Sequence, residues 1–249
     1  MTGDAAGPAA AHAARTRVGC CGFAMAQARY YRQFDIIEVQ QTFYQPPRLE
    51  TLTRWREAAP PGFVFTLKAW QLITHPPSSP TYRRLRRPIP ADRHPLYGAF
   101  QPTAEVWAAW QTTLHCAQAL GARLVLFQTQ ASFIPQAPNI EHLRAFITGA
   151  RSETGDIRLA WEPRGWPVGL AQDLCDELGL IRVVDPFRDP PPPTGLRYFR
   201  LHGVGGYGHQ YTDAELERLR GLCQGETWCL FNNRSMAADA QRFQRLLAT

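Results

Sequence analysis

Lysine is almost missing from this 249-residue chain: Lys68 is the single one, and every other basic residue is arginine. A bias of that depth reads as genomic, so the surviving ammonium marks a place where a flexible, titratable cation suits better than a guanidinium fork. Long apolar runs are missing as well. No stretch approaches about 18 uncharged apolar residues, which excludes a membrane-spanning helix. Asp4, His12, Arg15 and Arg17 interrupt the Ala- and Gly-rich amino terminus, so no secretory signal is read there and residues 1–15 are expected to form a flexible tail. None of the six cysteines lies in a C-x-x-C pair, and the adjacent Cys20 and Cys21 cannot easily form an ordinary disulfide. A zinc knuckle and a secreted disulfide framework are therefore not indicated, and a cytoplasmic location is expected. Cys116, Cys175, Cys223 and Cys229 fall in helical or strand patterns where a thiol packs as a small hydrophobe.

Hydrophobic residues make up 45% of the chain and charged residues 19%, a balance that supports a packed core and excludes disorder for the bulk. Eight β-rich runs recur: Arg17–Cys21, Asp35–Gln40, Phe63–Lys68, Arg123–Gln128, Arg158–Glu162, Leu180–Asp185, Arg197–His202 and Thr227–Asn232. Helical patterns lie between or after them near 25–33, 49–58, 103–120, 139–150, 168–178, 212–224 and 235–247. Such alternation predicts an α/β fold of parallel strands with right-handed crossovers, and eight units at this length suit a single (β/α)8 TIM-like barrel over 16–249. An open doubly wound sheet is the rival, because a strand count does not prove closure. Two connections depart from the pattern. Residues 71–102 carry seven prolines and read as a long ordered loop after the third strand; Pro190 to Pro193 stand where a crossover helix is expected.

Ligands of parallel α/β folds bind beyond the carboxyl ends of the strands, and those ends are polar here. Glu38 and Gln40 end the second run, Lys68 and Trp70 the third, and Gln128 the fourth. Glu162 and Arg164 end the fifth, Asp185 the sixth, Arg200 and His202 the seventh, and Asn232 the eighth. Residues two apart share a strand face, so Thr66 with Lys68, Ala160 with Glu162, and Tyr198 with Arg200 and His202 should point into the barrel mouth, with Tyr44 and His75 on the following segments. A buried salt-bridge plug is the plain alternative for this set. Gly203, Gly205 and Gly206 open a glycine-rich loop of the kind whose amides approach phosphate. The net charge of +6 leans toward anionic partners. In the 71–102 loop, Tyr82, Arg83, Arg84, Arg86 and Arg87 interleave aromatic and basic groups as a single-stranded nucleic-acid surface does, although a solvated basic loop explains them too.

The motifs Gly19-Cys-Cys-Gly22-Phe, Phe34 to Tyr44, Pro60 to Ala69, Ile73-Thr-His75, Trp161-Glu162-Pro-Arg164, Arg200-Leu-His202-Gly203 and Phe231-Asn232-Asn233 resemble the YecE-like, domain-of-unknown-function 72 family, in order from about residue 17 to 247. The resemblance implies a TIM-like barrel and no established activity. Many members carry Gly-Thr-Ser-Gly-aromatic at the first strand, where this chain has Gly19-Cys20-Cys21-Gly22-Phe23.

The leading expectation is a hydrolase-like or phosphodiesterase-like enzyme acting on a phosphate-bearing substrate, a nucleotide or nucleic-acid strand. Glu38 or Glu162 is its base, and His202 or Lys68 its acid or electrophile. Arg164, Arg200 and the glycine loop hold the anion, while Gln40 and Asn232 orient it, and Tyr44, Trp70, His75, Gln128 and Asp185 complete the binding set. The alternatives are a nucleic-acid binding module without turnover and a metal-assisted sugar isomerase or lyase using Glu162 and Asp185. No cofactor is predicted and no metal-ligand spacing is present. The expected partner is an anionic small molecule or single-stranded nucleic acid, with no membrane; the sequence sets no oligomeric state.

Overall fold

The computed structural model describes residues 16–249, so the tail expected over 1–15 lies outside the described residues. Eight strands run β1 Thr16–Cys21, β2 Ile36–Val39, β3 Val64–Lys68, β4 Leu124–Gln128, β5 Arg158–Glu162, β6 Ile181–Val184, β7 Arg197–Leu201 and β8 Thr227–Phe231. They follow one another around a closed barrel in sequence order, with β8 pairing parallel to β1 from Thr16↔Thr227 to Cys20↔Phe231. The open-sheet rival is thereby excluded. Each strand keeps within one residue of its expected bounds at either end, because every run carries β-branched or aromatic residues that favour extended backbone.

The described residues through Glu38, together with Val183–Thr249, form one compact unit, and Val39–Arg182 form another. In the first, helices Gln27–Gln33, Asp213–Leu222 and Met236–Leu247 accompany β1, β7 and β8. Thr212 and Glu215 begin the second helix with a reciprocal capping box, which satisfies two amides that the first turn leaves without partners. Gly19 is required by backbone proximity: a Cβ there would stand 2.0 Å from the Ile36 carbonyl oxygen on β2. No helix connects β6 to β7, in line with the proline run. Among the described residues, no helix is long and apolar enough to cross a membrane.

In the second unit, helices Leu49–Ala58, Ala104–Leu120, Ala137–Arg151 and Val168–Leu178 match the expected periods. Gly121 and Gly179 end two of them in the left-handed conformation that caps a helix. Two single-turn helices, Gln41–Tyr44 and Gln71–Thr74, depart from the sequence expectation, since four residues carry no helical period. The proline-rich loop is thus corrected: it starts with a helical turn and contains 3-10 turns at Pro80–Arg84 and Ala91–Leu96. Its return is strapped to the Gln71–Thr74 turn. The amides of Gly98, Ala99 and Phe100 donate to the carbonyls of Leu72, Thr74 and Ile73, and all three donor residues lie at positive φ. A Cβ at Gly98 would lie 2.4 Å from the His75 carbonyl oxygen. Buried Phe100 locks the strap by packing against Phe127, Phe133 and Phe146.

Candidate functional site

The strand ends of the Val39–Arg182 unit carry a cluster of charged groups. Lys68 ends β3 with 5% exposure, and its Nζ stands 3.4 Å from the centroid of the Phe43 ring. A cation over an aromatic face is stabilised by the ring quadrupole, more so when both are dehydrated. Thr42 fixes the arrangement by donating its hydroxyl to the Lys68 carbonyl at 2.7 Å and the Val39 carbonyl at 3.1 Å. The Phe43 ring meets His75 edge-on at 4.9 Å and Tyr44 at 5.0 Å. Thr42 and Phe43 lie outside the candidate set read from the sequence. Their position directly before Tyr44 was the available signal, but nothing local showed which aromatic would face the ammonium.

His75 is buried, with Nδ1 2.8 Å from the Thr74 hydroxyl and its carbonyl accepting from the Tyr82 hydroxyl at 2.7 Å. Burial, then the positive charges of Lys68 and Arg164, lower its pKa to about 3, so the imidazole is neutral across the physiological range. With a folded pKa below the unfolded value near 6.5, the unfolded chain binds the extra proton first. The His75 contribution to stability is therefore complete above about pH 6.5 and is lost as pH falls toward 3, at up to about 1.4 kcal/mol per pH unit. Urea titrations across that range should show a shallower acid loss in His75→Gln than in wild type; equal slopes would reject the assignment.

Glu162 ends β5 with 7% exposure and is paired in register with Gln128 at the end of β4. The Arg164 Nε and Nη2 both donate to Glu162 Oε1 at 3.2 Å, while the Arg164 side chain keeps 44% exposure. Thr129 donates its amide to the Glu162 carbonyl at 3.2 Å, and the Trp161 indole donates to the Thr129 hydroxyl at 3.2 Å. Trp70 is half-buried, and its buried indole N–H meets no acceptor among the described residues. Gln40 is half-buried beyond β2. Lys68 and Arg164 both bring positive charge to the neutral His75, and Arg164 also holds the Glu162 carboxylate. The cluster can hold an anion and keep a carboxylate beside it.

The other unit places its expected residues differently. Glu38, with 0% exposure, and Arg200, with 1%, form a buried two-pronged ion pair: Nε donates to Oε2 at 3.1 Å and Nη2 to Oε1 at 3.0 Å. The Tyr198 hydroxyl adds a 2.6 Å bond to Oε2. Burial, and next the Glu38 charge, push the Cys21 thiol far up, and burial pushes Cys20 to about 12. Both thiols are held protonated and packed. Asp185 accepts from the amides of Phe187 and His202 at 3.1 Å each, and so shapes the chain at the ends of β6 and β7. The Asn232 side-chain Nδ2 lies within hydrogen-bond reach of His202 Nδ1, at 3.2 Å. In the glycine loop, the Gly203 amide donates to the Tyr211 hydroxyl at 2.9 Å and the Gly206 amide to the Gly203 carbonyl at 3.0 Å. Those two amides serve the turn itself. Among the described residues, no group of three or more His, Cys, Asp or Glu is placed to hold a metal ion.

A family model described as protein of unknown function DUF72 matches residues 24–249. Among solved structures, the chain is similar to a DUF72 family protein from Enterococcus faecalis V583, with 20% identity and a TM-score of 0.67 over 94% of this chain and 98% of that one. It is also similar to a DUF72 family protein from Thermotoga maritima MSB8, with 19% identity and a TM-score of 0.65 over 94% and 99%. Endonuclease IV from Thermus thermophilus shares 14% identity and a TM-score of 0.55 over 93% and 98%. At these identities the likeness shows the barrel fold alone. No curated protein matches the chain.

Proposed function

Since the chain belongs to the DUF72 family, whose description names no activity, we propose from its own residues that it is an enzyme hydrolysing a phosphate ester at the Lys68, His75, Glu162 and Arg164 cluster. The observation that carries this is the charge arrangement: Lys68 and Arg164 bring positive charge to an imidazole whose pKa burial and those charges lower to about 3, and Arg164 also holds the Glu162 carboxylate. A phosphate offered to this cluster meets Lys68 as a point charge and Arg164 as a planar fork. Glu162 takes the proton of the attacking water, and Lys68 returns one to the leaving alkoxide. His75, neutral, is confined to hydrogen bonding, with Gln128 beside Glu162 to orient the water or the ester. Preorganised charge of this kind supplies most of the barrier reduction in phosphoryl transfer.

Lys68 gives the direct test of the anion site. Wild type should be stabilised thermally by inorganic phosphate and by aryl phosphates. Lys68→Met, which keeps the stem over Phe43 but removes the charge, should lose at least about tenfold in phosphate affinity, a loss of roughly 1.4 kcal/mol. Equal protection of both proteins would place the anion elsewhere and overturn the reading.

A further inference from the structure

The segment from Pro80 to Pro90 leaves four arginines, Arg83, Arg84, Arg86 and Arg87, exposed with no carboxylate partner among the described residues. Asp92 is the only acidic residue in 71–102, and the nearby Arg93 is matched by Glu105 at 2.5 Å. Four unmatched like charges in five positions repel one another, so their accumulation calls for a polyanion.

The segment is also held in place. The Gln71 side-chain amide donates to the Thr81 carbonyl at 3.3 Å, the Tyr82 hydroxyl donates to the His75 carbonyl, and the Arg86 amide donates to Gln45 Oε1 at 3.0 Å. Prolines at 80, 88 and 90 restrict the backbone on both sides. An ordered row of charges binds with less ordering entropy to lose than a flexible basic tail. The row has a flat member too: the Arg84 guanidinium lies 3.9 Å over the Tyr44 ring, with Arg84 exposed and Tyr44 half-buried. A guanidinium plane supported by an aromatic ring is a stacking surface for an unpaired base.

From the unmatched arginine row beside the Arg84–Tyr44 stack we infer that this segment is a binding platform for single-stranded nucleic acid. The inference rests on the phosphate-ester reading only for what happens to the strand at the Lys68 cluster, and it extends that reading from one phosphate to a chain of them. Phosphodiesters lie along Arg83, Arg86 and Arg87, and a base stacks on Arg84. The stack separates this occupant from a polyanion recognised by charge alone.

The test is fluorescence anisotropy with labelled oligo-dT and oligo-rU of about 12 nucleotides, within the span of one single-strand-binding module, in a series of salt concentrations. Wild type should bind, with the logarithm of its affinity falling linearly in log salt. Arg83→Gln/Arg87→Gln should lower that slope by about 1.4, the loss of two phosphate contacts at roughly 0.7 each. Arg29→Gln/Arg32→Gln, which removes the same charge from the exposed face of the Gln27–Gln33 helix, should leave the slope in place. Arg84→Lys keeps the charge but removes the plane, and should weaken binding at least about fivefold. Absent binding, equal effects of the two double variants, or an Arg84→Lys protein that binds as wild type does, each overturns the platform. So does equal affinity for duplex DNA or inorganic polyphosphate. Oligonucleotide binding without hydrolysis of any ester would keep this inference and reject the enzymatic one; ester turnover by a protein that ignores oligonucleotides would do the reverse.

Discussion

Glu162→Gln should lower kcat for phosphate-ester hydrolysis by about 10²–10⁴-fold, the range for removing a positioned proton acceptor. The same substitution should tighten the binding of inorganic phosphate, because it removes a negative charge from a cluster otherwise held by Lys68 and Arg164. Opposite signs on turnover and affinity are the signature of a base seated beside an anion site. A residue that only braced β5 would move both in the same direction. The amide still accepts from the Arg164 guanidinium, which holds Glu162 Oε1 at 3.2 Å in wild type. Folding should therefore be spared. The measurement is a pair of titrations on one preparation: initial rates on aryl phosphomonoesters and diesters, and phosphate binding by calorimetry. Unchanged kcat, or phosphate affinity that falls with it, would reject Glu162 as the base.

The second large effect is on stability. Glu38 and Arg200 are fully buried and satisfy one another together with Tyr198. Removing one partner strands a charge where no water replaces it, at a cost of about 3–5 kcal/mol. Arg200→Met should accordingly lower Tm by roughly 6–20 °C, at about 2–4 °C per kcal/mol for a chain of this size. The double variant Glu38→Gln/Arg200→Met should recover part of the loss, since neither charge then remains buried. If the double variant were as unstable as the sum of the singles, the two residues would not be acting as a pair. Glu38→Gln alone should lose stability along with any loss of rate, whereas Glu162→Gln should lose rate with little change in Tm. Thermal melts beside rates corrected for the folded fraction separate the two carboxylates.

That contrast marks where a reading of the chain alone stops. Glu38 and Glu162 look alike in the sequence: each sits at the end of an apolar run with a strand-face partner two residues away. Both are candidate bases on equal terms. What separates them is who meets them across space. The groups that neutralise Glu38 lie 160 and 162 positions later, on β7. Glu162 is matched by Arg164 two positions on, within its own turn. Local spacing could suggest the second pairing but not the first. Similarly, the polar ends of β3 and β5 were legible, whereas Phe43 beneath the Lys68 ammonium came from a four-residue helix too short to leave a period.

The sequence by itself determined the alternation of strands and helices, the polar rim of strand ends and the proline-broken loop. Each of these rests on periods of 2 or 3.6 residues or on the fixed φ of proline, which act between near neighbours. Only the tertiary structure decided that the sheet closes, that Glu38 is buried against Arg200 and Tyr198, that His75 is held neutral beside two cations, and that Arg84 lies on Tyr44. Those outcomes depend on Coulombic and dehydration energies between groups far apart in the chain. Such energies are set by distance and burial, which no local pattern of residues encodes.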